Sequence, residues 1–298
     1  MYLSIITATY NRGYIIGNLY KSLEIQTIKD FEWIIVDDGS KDDTESLYKK
    51  WIQQNKLFDI KYIKQNNGGK HRALNRGIKE AKGDYIIIVD SDDYLESNAI
   101  ELILKWINSI KNEEKIGAVA GNKKFENGKM IGNYPRNRLY IDCYYTKRKK
   151  YKIKGDKSEV FKRELLLKFP FKEFENENFL PESTVWNKIA EAGYKIRYFP
   201  ENICICRYLE DGLTKNIKNL ILNNFKGYTY YEKINYKTLS FPYNYLAISR
   251  FITIAKQKKM KKVQIKKELE INEIEFSIGV LFLILKIIIK NFIRRDEK

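Results

Sequence analysis

The chain has 298 residues, 44% of them hydrophobic and 14% aromatic, and carries a net charge of +17 near neutral pH. That length supports a sizeable core, in one large domain with an appendage or in two, and the charge calls for an acidic partner: nucleic acid, an anionic membrane surface or a phosphorylated small molecule. A single histidine, His71, excludes a multi-histidine metal centre, so any metal has to be held mainly by oxygen, which points to Mg²⁺ or Mn²⁺.

The first apolar run, LSIIT (Leu3 to Thr7), reads as a strand. No basic region followed by an apolar stretch precedes it, which argues against a secretory signal peptide and for a cytoplasmic protein. Helical spacing follows from Ile15 to Ile25, then a second strand, FEWIIVD (Phe31 to Asp37), ended by DGS. The next helix takes Asp42 or Asp43 as its cap and puts Leu47, Trp51 and Ile52 on its apolar face. IKYIK (Ile60 to Lys64) is a third strand, broken by NNGG, and Ala73 to Ala81 reads as a helix. DYIIIVD (Asp84 to Asp90) is the fourth strand, and Ile100, Leu104 and Ile107 mark a helix before IGAVAG.

Strands alternating with helices predict an α/β fold, a mostly parallel central sheet covered by helices on both faces. Right-handed crossovers bring every strand-to-helix loop to one edge, where open α/β sheets bind ligands. The residues delivered there are Thr7 to Arg12, Asp37 to Ser40, Asn66 to His71, and Asp90 to Asp93. The last group ends IIIVDSDDYL, in which an apolar strand runs straight into clustered carboxylates. Such a cluster costs stability unless something positive neutralises it.

Asn122 to Pro200 is less regular, with a basic loop, KRKKYKIK (Lys147 to Lys154), and an acidic stretch, FKEFENENFLPES. Cys204 and Cys206 share one face of a strand. A lone C-x-C is weak evidence for metal, and buried thiols in a reducing compartment, Cys143 included, is the better reading. Helical patterns dominate from about Asn219, and a lysine run (Lys256 to Lys262) precedes the apolar FSIGVLFLILKIIIKNFIRR. At 1.5 Å per residue, Phe276 to Ile293 would span about 27 Å, just short of a hydrocarbon core. Lys286, Lys290 and Arg294 fall on one face, which suits a helix lying in an anionic membrane interface better than one crossing it. Packing on the protein itself or in a dimer is the alternative.

SIITATYNR, SLEIQTIKDFEWIIVDDGSKDDT and NNGGKHRALNRGIKEAKGDYIIIVDSDDYL together resemble, in order and spacing, the successive signatures of the family 2 glycosyltransferases, which have the GT-A fold. The resemblance covers about the first 100 residues closely, continues more weakly to about Asn202 and does not reach the last 90 or so. It implies an inverting, metal-dependent transfer of a sugar from a nucleoside diphosphate sugar to a hydroxyl of a cell-surface polysaccharide or lipid-linked saccharide. The expected organisation is a catalytic domain over 1–205, its nucleotide-sugar half about 1–120 and its acceptor half about 121–205. A helical extension covers 206–298.

Asp90, Ser91 and Asp92 are similar to the family's DXD motif. The resemblance implies that Asp92 ligates Mn²⁺ or Mg²⁺ while Asp90 holds the ribose or reaches the metal through water, with Ser91 among the donor contacts; Asp93 is expected to cap the next helix. Asp38 resembles the acidic residue facing the nucleotide base, and because a carboxylate accepts the imide proton of uracil, UDP is the first-choice carrier. Asp37 is structural or touches the ribose. Thr7 and Asn11 look like parts of the same pocket. Where many members carry arginine before the helical asparagine, Leu74 precedes Asn75, leaving Lys70, His71 or Arg72 to supply positive charge at a glycine-rich helix start. Glu182, in FLPESTVWNKIAEAGY, stands where the family places its general base, with Glu177 and Glu175 behind it and Ser183 in place of a second acid. Tyr208 to Asn216 is expected to close over the donor, with Gly212 as pivot and Arg207 against the diphosphate. The competing classes are a nucleotidyltransferase, a non-catalytic glycan- or nucleotide-binding relative, and a basic nucleic-acid-binding protein. No nucleic-acid motif is found, so no nucleic-acid partner is expected.

Overall fold

The computed structural model describes residues 3–207 and 217–296, with side chains through residue 289. Among the described residues nine strands form one sheet: β1 (Leu3–Thr9), β2 (Phe31–Asp37), β3 (Asp59–Lys64), β4 (Tyr85–Ile88), β5 (Tyr94–Leu95), β6 (Ile116–Phe125), β7 (Ile141–Cys143), β8 (Lys157–Lys162) and β9 (Lys195–Cys206). Their spatial order is β3-β2-β1-β4-β8-β6-β9-β5, with β7 also on β9. The strands β1 to β4 are mutually parallel, and β6 and β9 run the same way. Only β8 and the short β5 and β7 oppose them. The sheet is therefore the expected mostly parallel one, with β8 inserted between two parallel blocks.

The pleat sorts side chains to two cores. Leu3, Ile5, Phe31, Trp33 and Ile35 meet α1 (Gly17–Glu24), α2 (Thr44–Gln54) and α4 (Ala99–Ser109). Ile6, Ile34 and Val36 meet α3 (Lys70–Glu80), α5 (Arg163–Lys168) and α6 (Ser183–Glu191). Aromatic contacts tie each layer: Tyr20 stacks on Trp51 at 4.4 Å and Phe161 on Trp186 at 4.2 Å between ring centres. Burial of β1 and β2 on both faces explains why their sequences read as unbroken apolar runs.

The C-terminal helices are α7 (Ile217–Asn223), α8 (Phe225–Thr238), α9 (Tyr243–Gln257), α10 (Lys262–Leu269) and α11 (Glu273–Asp296). They enclose a third core of Tyr228, Ile248, Phe251, Ile252, Ile265 and Leu269. This bundle is fastened to the sheet domain by polar contacts. Asn187 on α6 bonds Asn235 on α8 at 2.9 Å, and Asn224 accepts the N–H groups of Asn178 and Phe179. Phe276, Val280 and Leu283 pack α11 into the third core. From Leu281 the helix emerges: Ile284, Leu285, Ile287, Ile288 and Ile289 are 44–59% exposed. The final helix is thus half self-packed and half unpartnered, and the side chains of Lys290 and Arg294 lie outside the described residues.

Inside the bundle Glu232, 1% exposed, receives a bidentate contact from Arg250 at 2.7 and 2.6 Å. Removing one partner of such a pair strands a charge. Arg250→Ala is expected to cost about 3 kcal/mol, read as a lowered thermal midpoint, while Glu232→Gln with Arg250→Ala recovers part of the loss.

Candidate functional site

Four loops meet at the edge where β1, β2, β3 and β4 end. In the first, the expected strand end at Thr7 is overturned: β1 continues through Ala8 and Thr9, paired with Val36 and Asp37. Thr7 is fully buried in mid-strand, its hydroxyl accepting Trp33 Nε1 at 3.0 Å, so it lies in the core and not in a ligand pocket. Asn11 adopts a left-handed φ of 51°, tolerable for asparagine. It joins two loops, its N–H donating to Ser40 Oγ and its Oδ1 accepting the Lys41 N–H, both at 2.8 Å.

The second loop is built by two acids. Asp37 accepts the Ser40 N–H at 2.7 Å and the Tyr62 hydroxyl at 2.5 Å, a structural role. Asp38 accepts Gln65 Nε2 at 2.8 Å and the N–H groups of Gly68 and Gly69 at 2.9 and 2.7 Å. Its carboxylate therefore shapes the third loop. Gly69 has a φ of 96°, and a Cβ there would sit 1.9 Å from the Asn178 carbonyl oxygen, so glycine is required twice over. This turn starts α3 at Lys70, three residues before the expected Ala73.

Of the three basic candidates on that helix start, only Lys70 faces the carboxylates. Its Nζ lies 2.5 Å from Asp90 Oδ1 and 2.6 Å from Glu182 Oε1. Burial opposes its charge, but Asp90 and Glu182 outweigh it and raise the lysine pKa. His71 does not supply the expected positive charge: it is 2% exposed, and burial and then Arg72 push its pKa down. Arg72 pairs with Glu173 at 2.5 Å and donates to the Phe174 carbonyl, pinning that segment.

The fourth loop turns between Asp90 and Asp93, with the Asp93 N–H donating to the Asp90 carbonyl at 3.1 Å. Ser91 is buried within this turn. Burial would raise the Asp90 carboxyl, but Lys70, Lys123 and Arg12 hold it down and ionised. Asp92 shows the opposite: burial, Asp90 and Asp93 all push its pKa up. Arg12 opposes that rise without cancelling it, and an oxygen-bound divalent cation would relieve the repulsion among the three carboxyls. The DXD residues therefore fit Mn²⁺ or Mg²⁺. Asp93 does not cap α4. Asn98 holds that position, and the buried Asp93 carboxylate instead takes Lys123 at 3.0 Å and the Cys206 thiol at 3.1 Å. Asp93, Cys204 and Cys206 converge, but the three cysteines are free and the Lys123 ammonium already serves this carboxylate.

Across the cleft, Glu182 begins α6. Glu177 is engaged elsewhere, accepting the N–H groups of Lys226 and Gly227 at 2.7 Å each and capping α8, while Glu175 is exposed. Arg207 pairs with Glu126 and lies over Tyr94; Tyr208 to Asn216 and Gly212 are outside the described residues. Sequence reasoning missed Glu159 on β8. Burial lifts its pKa to about 7, Arg148 and Lys123 oppose the shift, and Glu182 adds to it. KSEVFK holds only two apolar residues, the adjacent Val160 and Phe161, so its pattern carries no signal for such an acid.

A sequence model described as glycosyl transferase family 2 matches residues 4–173. The chain is 29% identical over 238 residues to a Campylobacter jejuni GalNAc(5)-diNAcBac-PP-undecaprenol beta-1,3-glucosyltransferase, covering 78% of this chain and 73% of that one. It is 26% identical over 208 residues to a Staphylococcus aureus poly-beta-1,6-N-acetyl-D-glucosamine synthase, covering 68% of this chain but only 49% of the synthase. Among solved structures, S. aureus TarS 1–349 in complex with UDP-GlcNAc superposes with a TM-score of 0.62 at 19% identity, covering 86% and 73% of the two chains. The mannosyltransferase PcManGT of Pyrobaculum calidifontis, in complex with GDP-Man and Mn²⁺, gives 0.52 at 18% identity over 94% and 73%. At those identities the structures establish a shared fold.

The raised Glu159 carboxyl makes stability depend on pH. Between 4.5 and about 7 the unfolded chain ionises while the folded one keeps its proton, so stability falls as pH rises through that window. Glu159→Gln removes the loss. Its thermal midpoint is expected to match the wild type near the low end of the window and to exceed it above the high end. An advantage that fails to grow with pH would contradict the assignment.

Proposed function

Because the chain belongs to glycosyl transferase family 2, we propose that it is an inverting, metal-dependent enzyme moving a hexosyl or N-acetylhexosaminyl group from a UDP-sugar to a hydroxyl of a lipid-linked saccharide or cell-surface polysaccharide. The observation that carries this reading is the bridge through Lys70, which sets the Glu182 and Asp90 carboxylates within about 5 Å of one another across the cleft. The UDP-GlcNAc complex of TarS supports the carrier, and the undecaprenol-linked substrate in the Campylobacter relative's name supports the acceptor class. We assign catalysis to residues 1–205 and placement at the membrane to 206–298.

In this scheme the Asn11, Asp38 and Asp90 loops cradle the nucleotide, and Asp92 with Asp90 would hold Mn²⁺ or Mg²⁺. The chemistry such a cation would supply there is neutralisation of the charge developing on the departing diphosphate. Glu182 accepts the proton of the acceptor hydroxyl as that oxygen bonds the anomeric carbon. The bond from that carbon to the diphosphate oxygen breaks, and UDP leaves with its electrons. Glu182→Gln is expected to lower turnover by about 10³-fold while UDP affinity in Mn²⁺ stays unchanged; Asp92→Asn should abolish the Mn²⁺-dependent part of UDP binding. Calorimetry with UDP, and UDP release from UDP-GlcNAc or UDP-glucose, check both. A fully active Glu182→Gln would sink the base assignment.

No helix among the described residues is long and apolar enough to cross a membrane. We place the emergent half of α11 in an anionic interface at the inner face of the plasma membrane. Its exposed isoleucines would sit among the acyl chains, with Lys286 and the Lys256–Lys262 run against the headgroups. Ile284→Glu with Ile288→Glu should abolish co-sedimentation with phosphatidylglycerol vesicles and leave UDP binding intact. Undiminished sedimentation would remove the lipid reading.

A further inference from the structure

Lys70 stands where a cation is locally disfavoured. It is the first residue of α3, at the positive end of the helix dipole, and the first turn holds no acid to compensate. Its backbone is fixed from both sides, because the preceding Gly69 donates to Asp38 and packs on the Asn178 backbone. A side chain that breaks a local rule on so constrained a backbone points to a functional task.

That task is set by what the ammonium joins. Asp90 follows β4 on the donor edge, whereas Glu182 opens α6 in the acceptor half, and the two share Lys70 Nζ at 2.5 and 2.6 Å. The three side chains remain 32%, 37% and 29% exposed for Lys70, Asp90 and Glu182, so a ligand reaches them. Without the ammonium the two carboxylates would repel, and among the described residues no other side chain pairs with the Glu182 carboxylate. Two of the three ammonium protons are already committed.

We propose that Lys70 is the positioning residue of the catalytic base: its bridge to Asp90 fixes the Glu182 carboxylate in register with the donor site. Lys70 then acts through Glu182 and contributes little to holding UDP. The inference rests on Glu182 being the base.

The test is a double-mutant cycle on the full chain with Lys70→Met, Glu182→Gln and their combination. It reads Mn²⁺-dependent UDP release from UDP-GlcNAc or UDP-glucose with water as acceptor, and UDP affinity by calorimetry. Lys70→Met is expected to lower kcat by about 100-fold with UDP affinity within about threefold, and to cost nothing further in the Glu182→Gln background. Lys70→Arg keeps the charge and should recover about tenfold over the methionine variant. If Lys70→Met does not fold, the cycle is run with Lys70→Arg, whose smaller loss should likewise vanish beside Glu182→Gln. Losses that multiply, or a fall in UDP affinity of about tenfold or more with kcat unchanged, overturn the proposal and make Lys70 a diphosphate contact. A Glu182→Gln enzyme near wild-type activity sinks the base assignment itself. A dead Glu182→Gln with multiplying Lys70 losses sinks only the positioning role.

Discussion

The buried carboxylate of Asp38 organises the whole ligand edge. Its bonds to Gln65, Gly68 and Gly69 turn the chain between β3 and α3 through a glycine pair that would otherwise be free to sample many conformations. The turn decides where α3 begins, and so where the Lys70 ammonium points. It also presents Gly69 as a flat surface against the Asn178 backbone, drawing the segment before α6 onto the start of α3. Arg72 and Asn75 extend that seam, reaching Glu173 and the Phe171 and Phe174 carbonyls.

Charge at this edge is balanced locally, by lysines set among acids. Lys70 serves Asp90 and Glu182, and Lys123 serves Asp93, while Asp92 is the one of the three aspartates whose burial and neighbouring carboxylates push its pKa up against the pull of Arg12. The large positive excess of the chain therefore has little to do with the cleft. The C-terminal bundle brings its own core and grips α6 and the segment before it through Asn187, Asn224 and the Glu177 cap. That grip buttresses α6 from behind.

Much of the fold was legible in the sequence because β1 and β2 are buried on both faces and α1 to α4 each expose a polar side. Strand ends were less legible. Ala8 and Thr9 look like turn residues, yet the ladder to β2 carries them, which shifts the edge two places beyond Thr7. The places of Asp90 after β4 and Glu182 before α6 were readable from local pattern and resemblance, their roles from resemblance alone. The separate fates of Lys70, His71 and Arg72 were not, since adjacent residues on a helix diverge by about 100°, and only the packed helix tells which faces the cleft. Asp93 looked like a cap because sequence alone does not reveal that β5 intervenes before α4. Glu159 was invisible for a related reason: its neighbours Lys123 and Glu182 come from distant parts of the chain.

The three thiols have a bearing on chemical reactivity. Burial pushes Cys143 up to about 12, the hydrogen bond with Cys204 and then burial raise Cys206, and Cys204 is itself buried. Alkylating reagents attack thiolates they can reach, so Cys143 and Cys206 are poor nucleophiles at neutral pH and Cys204 is shielded by burial. A single cysteine introduced on the emergent turn of α11 would therefore accept a fluorophore or spin label ahead of them. Toward such reagents the native chain would serve as a background of low thiol reactivity.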